Sequence, residues 1–106
     1  MPRSFVRAAL CGALAAGGGA VSASTDDFQA TLWASSCMAC HGTDGRAEGV
    51  GKPLAGRNAE ELHRMLVAYK RGDREATIMH HHARGYTDEE LRRIAQHFSR
   101  LGPGAR

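Results

Sequence analysis

The sequence predicts a small all-α domain. After the first 23 residues no strand-like alternation of apolar and polar residues occurs, whereas two segments repeat apolar residues at the helical spacings i, i+3, i+4 and i+7. Each of these segments begins with an N-capping pattern, an Asn or Thr followed three residues later by Glu. We therefore expect three to five helices and no sheet.

The first helix is predicted over residues 26–37. Asp26 and Asp27 suit the positive N-terminal end of a helix. Phe28 and Leu32 are four residues apart and therefore lie on one apolar face, which Trp33 widens and which we expect to be buried.

Two further helices have predicted ends. One begins after the cap Asn58, with Glu61 as its partner, and ends at Gly72. Its apolar face consists of Leu62, Met65, Leu66 and Tyr69. The last begins after the cap Thr87, with Glu90 as its partner, and stops at Gly-Pro. Its apolar face consists of Leu91, Ile94, Ala95, Phe98 and Leu101.

Two stretches between these helices are irregular in composition. Residues 42–57, "GTDGRAEGVGKPLAGR", contain five glycines and one proline, which predicts a wrapped loop. Residues 74–87, "REATIMHHHARGYT", predict a short helix closed by Gly85, with the three histidines at 80–82 in a solvent-exposed polar turn.

The N-terminal residues predict an export signal. Arg3 and Arg7 form a basic start, residues 8–20 are weakly apolar, and small residues precede a cleavage site that we place after Ala23. An uncleaved anchor is the alternative, but the apolar stretch is short against the roughly 20 residues that span a bilayer. We therefore expect residues 24–106 to form one periplasmic domain without a membrane span.

The expected mature chain is nearly neutral. Loss of two signal arginines leaves 12 basic against 11 acidic residues, a charge of about +1. Nucleic-acid binding, which depends on an excess of basic residues, is therefore not expected. A domain of this size has a marginal core of its own, so a cofactor or a covalent crosslink is expected to supplement it.

The most informative motif is "CMACH", which contains Cys37, Cys40 and His41. Two thiols three residues apart can add to the two vinyl groups of one porphyrin, and the adjacent imidazole can then reach its iron. The motif occurs once in the sequence. It therefore predicts one covalently attached haem c.

Three other chemistries fit part of the motif. A disulfide between Cys37 and Cys40 leaves His41 and Gly42 unexplained. A thioredoxin-like redox site lacks the βαβ pattern that carries it. A zinc site needs a second ligand pair, and the dense candidates at 80–82 lie about forty residues away, so this alternative stays open but fits poorly.

The second axial ligand of the iron has several candidates: Met65, Met79, His63, His80, His81, His82 and His97. Met65 belongs to an apolar helix face and is expected to fill the core. His63 and His97 are expected to be solvated. Met79 lies in a short segment with no apolar stripe to explain it, and Met is a common axial ligand of electron-transfer haems. We favour Met79, with His82 as its competitor on the same helix face.

These motifs together resemble a class I cytochrome c, and more narrowly the cytochrome subunit of flavocytochrome c sulfide dehydrogenase and its single-haem relatives. The resemblance rests on "CMACHGTDGR", "PLAGRNAEEL" and "YKRGDREATIMHHHARGYTDEELRRIAQHFS". It implies a helical fold around one haem c, with His41 as the proximal and Met79 as the distal ligand. In that family a backbone carbonyl accepts the Nδ1 proton of the proximal histidine, here expected from Gly51 or Pro53.

The resemblance also implies a function and a partner. The chain would transfer single electrons, as a subunit that accepts them from an FAD flavoprotein oxidising sulfide, rather than catalyse a reaction by itself. A free carrier that delivers electrons to a terminal oxidase is the alternative. A third possibility is a sensing module with an open iron position, in which Met79 is displaced by His82 or by a ligand such as sulfide.

Overall fold

A computed structural model describes residues 21–47 and 51–102, and within these ranges the chain forms helices and no strand. The helices are α1 (Val21–Ser35), α2 (Met38–His41), α3 (Ala59–Arg71), α4 (Met79–Arg84) and α5 (Asp88–Arg100), with a short 3-10 turn over Thr43–Gly45. The predicted all-α class is confirmed. Residues 1–20, most of the expected signal, lie outside the described residues, as does the Pro103 expected to stop the last helix.

The ends of α3 and α5 follow from their capping residues. The Asn58 side chain accepts the Glu61 backbone N–H at 3.0 Å, and Gly72 closes α3 in the left-handed conformation at φ 80°. At α5, Thr87 Oγ1 accepts the Glu90 N–H at 3.1 Å, while Glu90 Oε2 accepts the Thr87 N–H at 2.8 Å. Both predicted N-termini and the glycine end of α3 are confirmed.

The core lies where α1, α3 and α5 meet. Its buried side chains are Ala34, Leu62, Leu91, Ile94, Ala95 and Phe98. The predicted buried face of α5 is thus confirmed in four positions, and Leu101 is half-buried at the helix end. Met65 packs against this core, which confirms its predicted role as a core residue.

The predicted start of the first helix is wrong. α1 begins at Val21 and ends at Ser35, so Asp26 and Asp27 lie in its second turn and do not act at its N-terminus. Both carboxylates instead form ion pairs with α5. Arg93 lies 3.5 Å from Asp26 and Arg100 lies 3.1 Å from Asp27, so the acidic pair joins the two helices.

The predicted apolar face of the first helix is confirmed only at Trp33, which is half-buried and packs against the core. Phe28 and Leu32 are 64% and 49% exposed. The buried positions of α1 are Ala30 and Ala34, with 2% and 0% exposure. α1 packs on α5, and the small alanine side chains let the two backbones approach closely. Ala30 and Ala34 are thus buried at the positions where Phe28 and Leu32 were expected to be.

The segment 79–86 packs on α3 and is held to α1. Ala83 is buried, and Gly85 follows the last turn of α4 as predicted. The Tyr86 hydroxyl lies 2.8 Å from Ser36 Oγ, one residue before Cys37. The three histidines at 80–82 lie in the helix, which corrects the predicted turn; of these, His80 is half-buried and the other two are exposed. No helix of the described ranges is long and apolar enough to cross a membrane.

Candidate functional site: the Cys-x-x-Cys-His segment and the loop around it

The loop that follows the motif folds back because Gly45 packs against α5. Gly45 has φ +71°, and a Cβ atom there would lie 2.7 Å from the Phe98 ring. Its carbonyl accepts the backbone N–H groups of Leu54 and Ala55 at 2.7 and 3.1 Å. The predicted wrapped loop is confirmed, and this contact returns residues 51–53 to the motif.

Cys37 and Cys40 lie at the start and on the first turn of α2, half-buried and with free thiols. Burial raises the pKa of the Cys37 thiol, and a hydrogen bond with Ser36 opposes that shift. A dithiol redox catalyst needs the opposite, a thiol with a lowered pKa. The raised pKa of Cys37 therefore does not support the redox-catalyst interpretation.

His41 ends α2, and its ring orientation is fixed by the loop. Its Nδ1 lies 2.6 Å from the carbonyl oxygen of Lys52. A carbonyl only accepts hydrogen bonds, so Nδ1 carries the proton and donates it, which leaves the lone pair on Nε2 available to a metal. The acceptor is therefore the carbonyl of Lys52, and not that of Gly51 or Pro53 as expected.

Gly51 lies against the His41 ring and has no space for a side chain. A Cβ atom at this position would lie 2.6 Å from His41 Nδ1 and 2.7 Å from the Cys40 carbonyl. The Gly51 N–H donates to that same carbonyl at 2.7 Å. The backbone at this glycine thus packs directly on the imidazole. From the sequence, Gly51 was expected only as a possible hydrogen-bond acceptor. The high density of glycines in the loop is the sequence feature that indicates its close packing.

Met79, the favoured distal ligand, is the first residue of α4 and is half-buried, whereas its competitor His82 is exposed. Tyr86, at the end of the same segment, is held beside Cys37 through the hydrogen bond to Ser36. The pairing of Met79 with His41 on opposite sides of an iron stays a prediction.

His63 and His97 are not solvated, which corrects the sequence prediction. His63 Nε2 lies 3.0 Å from the Asp88 carbonyl and therefore donates to it. His97 is half-buried, with Nε2 buried and without a hydrogen-bond partner among the described residues. Burial, and the nearby charge of Arg100, lower the pKa of His97. Both histidines are half-buried, and His63 joins α3 to the start of α5.

Comparison with known families decides which class of protein this fold and motif represent. Residues 26–98 match the family described as cytochrome c oxidase, cbb3-type, subunit III. The chain belongs to the cytochrome c family. This cytochrome is 37% identical to the cytochrome c-553 of Nitratidesulfovibrio vulgaris over 95% of its own length and 100% of that protein.

Two relatives have names that refer to sulfur metabolism. This cytochrome is 42% identical to the cytochrome subunit of sulfide dehydrogenase of Chlorobaculum tepidum, over 62% of this chain and 60% of that protein. It is 37% identical to the thiosulfate dehydrogenase electron acceptor of Stutzerimonas stutzeri, over 62% of this chain and 32% of that protein. The matched region thus spans less than two thirds of either relative.

Membership of the cytochrome c family implies haem c as the cofactor, and the residues present fit it. The motif offers two free thiols one helical turn apart and an imidazole whose Nε2 lone pair is available. Because Gly51 has no side chain, the loop can pack against the His41 ring without displacing it. A carbonyl partner on the far nitrogen is the usual companion of a metal-bound histidine. Among the described residues no group of three or more His, Cys, Asp or Glu side chains is placed to hold a metal ion, so the zinc alternative has no ligand set there.

Proposed function

We propose that this cytochrome transfers single electrons in the periplasm through one haem c attached to Cys37 and Cys40. His41 is the proximal ligand and Met79 the distal ligand in this proposal. The observation that carries it is the hydrogen bond of His41 Nδ1 to the Lys52 carbonyl beside two free thiols. A haem with both axial positions filled supplies one-electron exchange rather than substrate binding.

Each residue of the site has a distinct part in this function. Cys37 and Cys40 hold the cofactor, so that it stays bound in both redox states. The Lys52 carbonyl keeps His41 in one tautomer and makes its Nε2 a stronger donor. A thioether at Met79 favours the reduced state relative to a second imidazole. The chain itself binds no substrate and moves no proton in this proposal.

The proposed electron donor is an FAD flavoprotein that oxidises sulfide. Support comes from the 42% identity to a sulfide dehydrogenase cytochrome subunit. In such an arrangement the sulfur chemistry occurs at the flavin, and this chain accepts one electron at a time.

The test is to mix this cytochrome with an exported FAD flavoprotein whose gene lies next to its own. We expect the two proteins to co-purify, and sulfide to reduce the cytochrome only when the flavoprotein is present. A cytochrome that migrates alone and is not reduced by sulfide with the flavoprotein contradicts the assignment. Direct reduction by dithionite in the same samples controls for a competent haem.

A second candidate is a free carrier of electrons to a terminal oxidase. The observation that favours it is the match to a complete cytochrome c-553 over 95% of this chain. It predicts a monomer that exchanges electrons with several partners at rates that fall with added salt. Sedimentation of the mixture separates the two functions, because only the subunit function predicts a stable complex.

A further inference from the structure

A groove lies between the end of α3 and the start of α4, on a different set of residues from the motif site. It has a volume of about 580 Å³ and is open to solvent. Two arginines line it, Arg74 and Arg84, together with the hydroxyl-bearing Thr77. Neither arginine has a carboxylate partner within ion-pair distance in the part of the chain that the structure describes.

Among the described residues, each of the two guanidinium groups is anchored through its Nε alone. Arg74 Nε donates to the Tyr69 hydroxyl at 3.0 Å, and its guanidinium carbon lies 5.2 Å from the centre of the Tyr69 ring. Arg84 Nε donates to the Lys70 carbonyl at 3.4 Å. Each anchor restrains the side chain and leaves the two terminal nitrogens of each fork unused. Planar forks of this kind match the oxygen spacing of oxyanions.

The charged residues that line the groove determine which anions it attracts most strongly. Glu75 also lines the groove and forms no ion pair among the described residues, so it repels an anion. The lining contains two guanidinium groups and one carboxylate, a net charge of +1, and the attraction of this net charge for an anion increases with the charge of the anion. Gly72 adds no side chain and leaves one end of the groove open.

We propose that this groove binds a small oxyanion carrying two negative charges, the class that includes sulfate, thiosulfate and phosphate. The site is independent of the proposed electron transfer and uses none of its residues. Arg74 and Arg84 supply paired N–H donors, and the Thr77 hydroxyl adds another. Glu75 weakens the affinity.

The test is a titration of the purified protein, reduced and with its native cofactor, followed by backbone amide NMR. Separate arms use sodium sulfate, sodium thiosulfate and sodium phosphate, each at ionic strength held constant with sodium chloride. We expect saturable shifts confined to residues 72–84. The anion with the lowest dissociation constant is the preferred ligand, and equal dissociation constants indicate a general dianion site. Linear shifts, or equal shifts with chloride alone, overturn the proposal.

Four variants separate a built site from general charge screening. R74Q and R84Q are each expected to weaken dianion binding about tenfold, because each removes charge-assisted hydrogen bonds. R64Q is the matched control, since Arg64 is exposed on α3, has no ion pair among the described residues and lies outside the groove. E75Q is expected to tighten binding about threefold by removing the repulsion. An R64Q effect equal to that of R74Q, or weaker binding in E75Q, contradicts the proposal.

Discussion

At the scale of single residues, the site depends on the contact between Gly51 and His41. The imidazole is held on one side by the Lys52 carbonyl and faces the Gly51 backbone on another. The "CMACH" motif by itself leads to the proposal that Cys37, Cys40 and His41 bind the cofactor. It could not predict the acceptor at Nδ1, because that depends on how the loop at 42–57 turns back against Phe98.

Gly51→Ala is expected to disturb the His41 ring. The added Cβ atom would lie 2.6 Å from Nδ1, so either the ring or the loop must move. Overpacking of this kind costs about 1–3 kcal/mol of unfolding free energy. Urea unfolding measures the loss, and the ferric spectrum reports the changed ligation. Gly102→Ala is the control, because a Cβ atom there meets nothing within 4 Å. Equal stability of both variants would contradict the proposed contact.

Met79→Ala is expected to open the distal side of the proposed haem. The variant should lose the weak far-red band of thioether ligation, and its reduced form should bind carbon monoxide. His82→Ala is the matched control, because His82 lies on the same helix and is exposed. It should keep the band and exclude carbon monoxide. A native protein without this band, together with carbon monoxide binding by the His82→Ala variant and not by Met79→Ala, would assign the distal position to His82.

At the scale of the elements, local signals decided which predictions succeeded. α3 and α5 were predicted at their capped starts because their capping residues and apolar spacing agree. For α1, the predicted start was wrong, and Phe28 and Leu32, which were expected to be buried, are exposed. Its packing surface consists of alanines, which carry no strong apolar signal, and its acidic pair serves ion pairs to α5.

Asp88 joins the start of α5 to the end of α3, and this contact should depend on pH. Its carboxylate lies 2.9 Å from Lys70 Nζ and 3.4 Å from Arg71. The hydrogen bond from Lys70, followed by the charges of Lys70 and Arg71, lowers the pKa of Asp88 below its unfolded value of 3.8. A lowered folded pKa gives stability that is present above pH 3.8 and is lost as pH falls through the folded value.

Asp88→Asn should therefore be less stable than the native chain near neutral pH and converge with it in acid. Urea unfolding between about pH 2 and 7 measures the difference. Asp73→Asn is the control, because Asp73 is an exposed carboxylate with no ion pair among the described residues. A difference for Asp88→Asn that does not change with pH would show that the ion pairs add no pH-dependent stability.

At the scale of the whole molecule, a compact set of helices positions a cofactor motif at the end of α1. α5 supplies four of the six residues of the buried core cluster in the described part of the chain, and Gly45 of the loop packs against it. The sequence was sufficient to predict the class and the family, because both follow from local motifs. The packing of α1 and the surroundings of His63 and His97 required three-dimensional contacts between segments far apart in the chain.

The central claim is that Cys37 and Cys40 hold one haem c covalently. The direct measurement is extraction with acidified butanone, followed by intact mass determination of the protein expressed with haem-maturation machinery. We predict that the colour stays with the protein and that the chain from Ser24 carries the mass of one haem. Cys37→Ala with Cys40→Ala should release it. Complete extraction of haem from the native chain, or a mass without haem, would contradict the account.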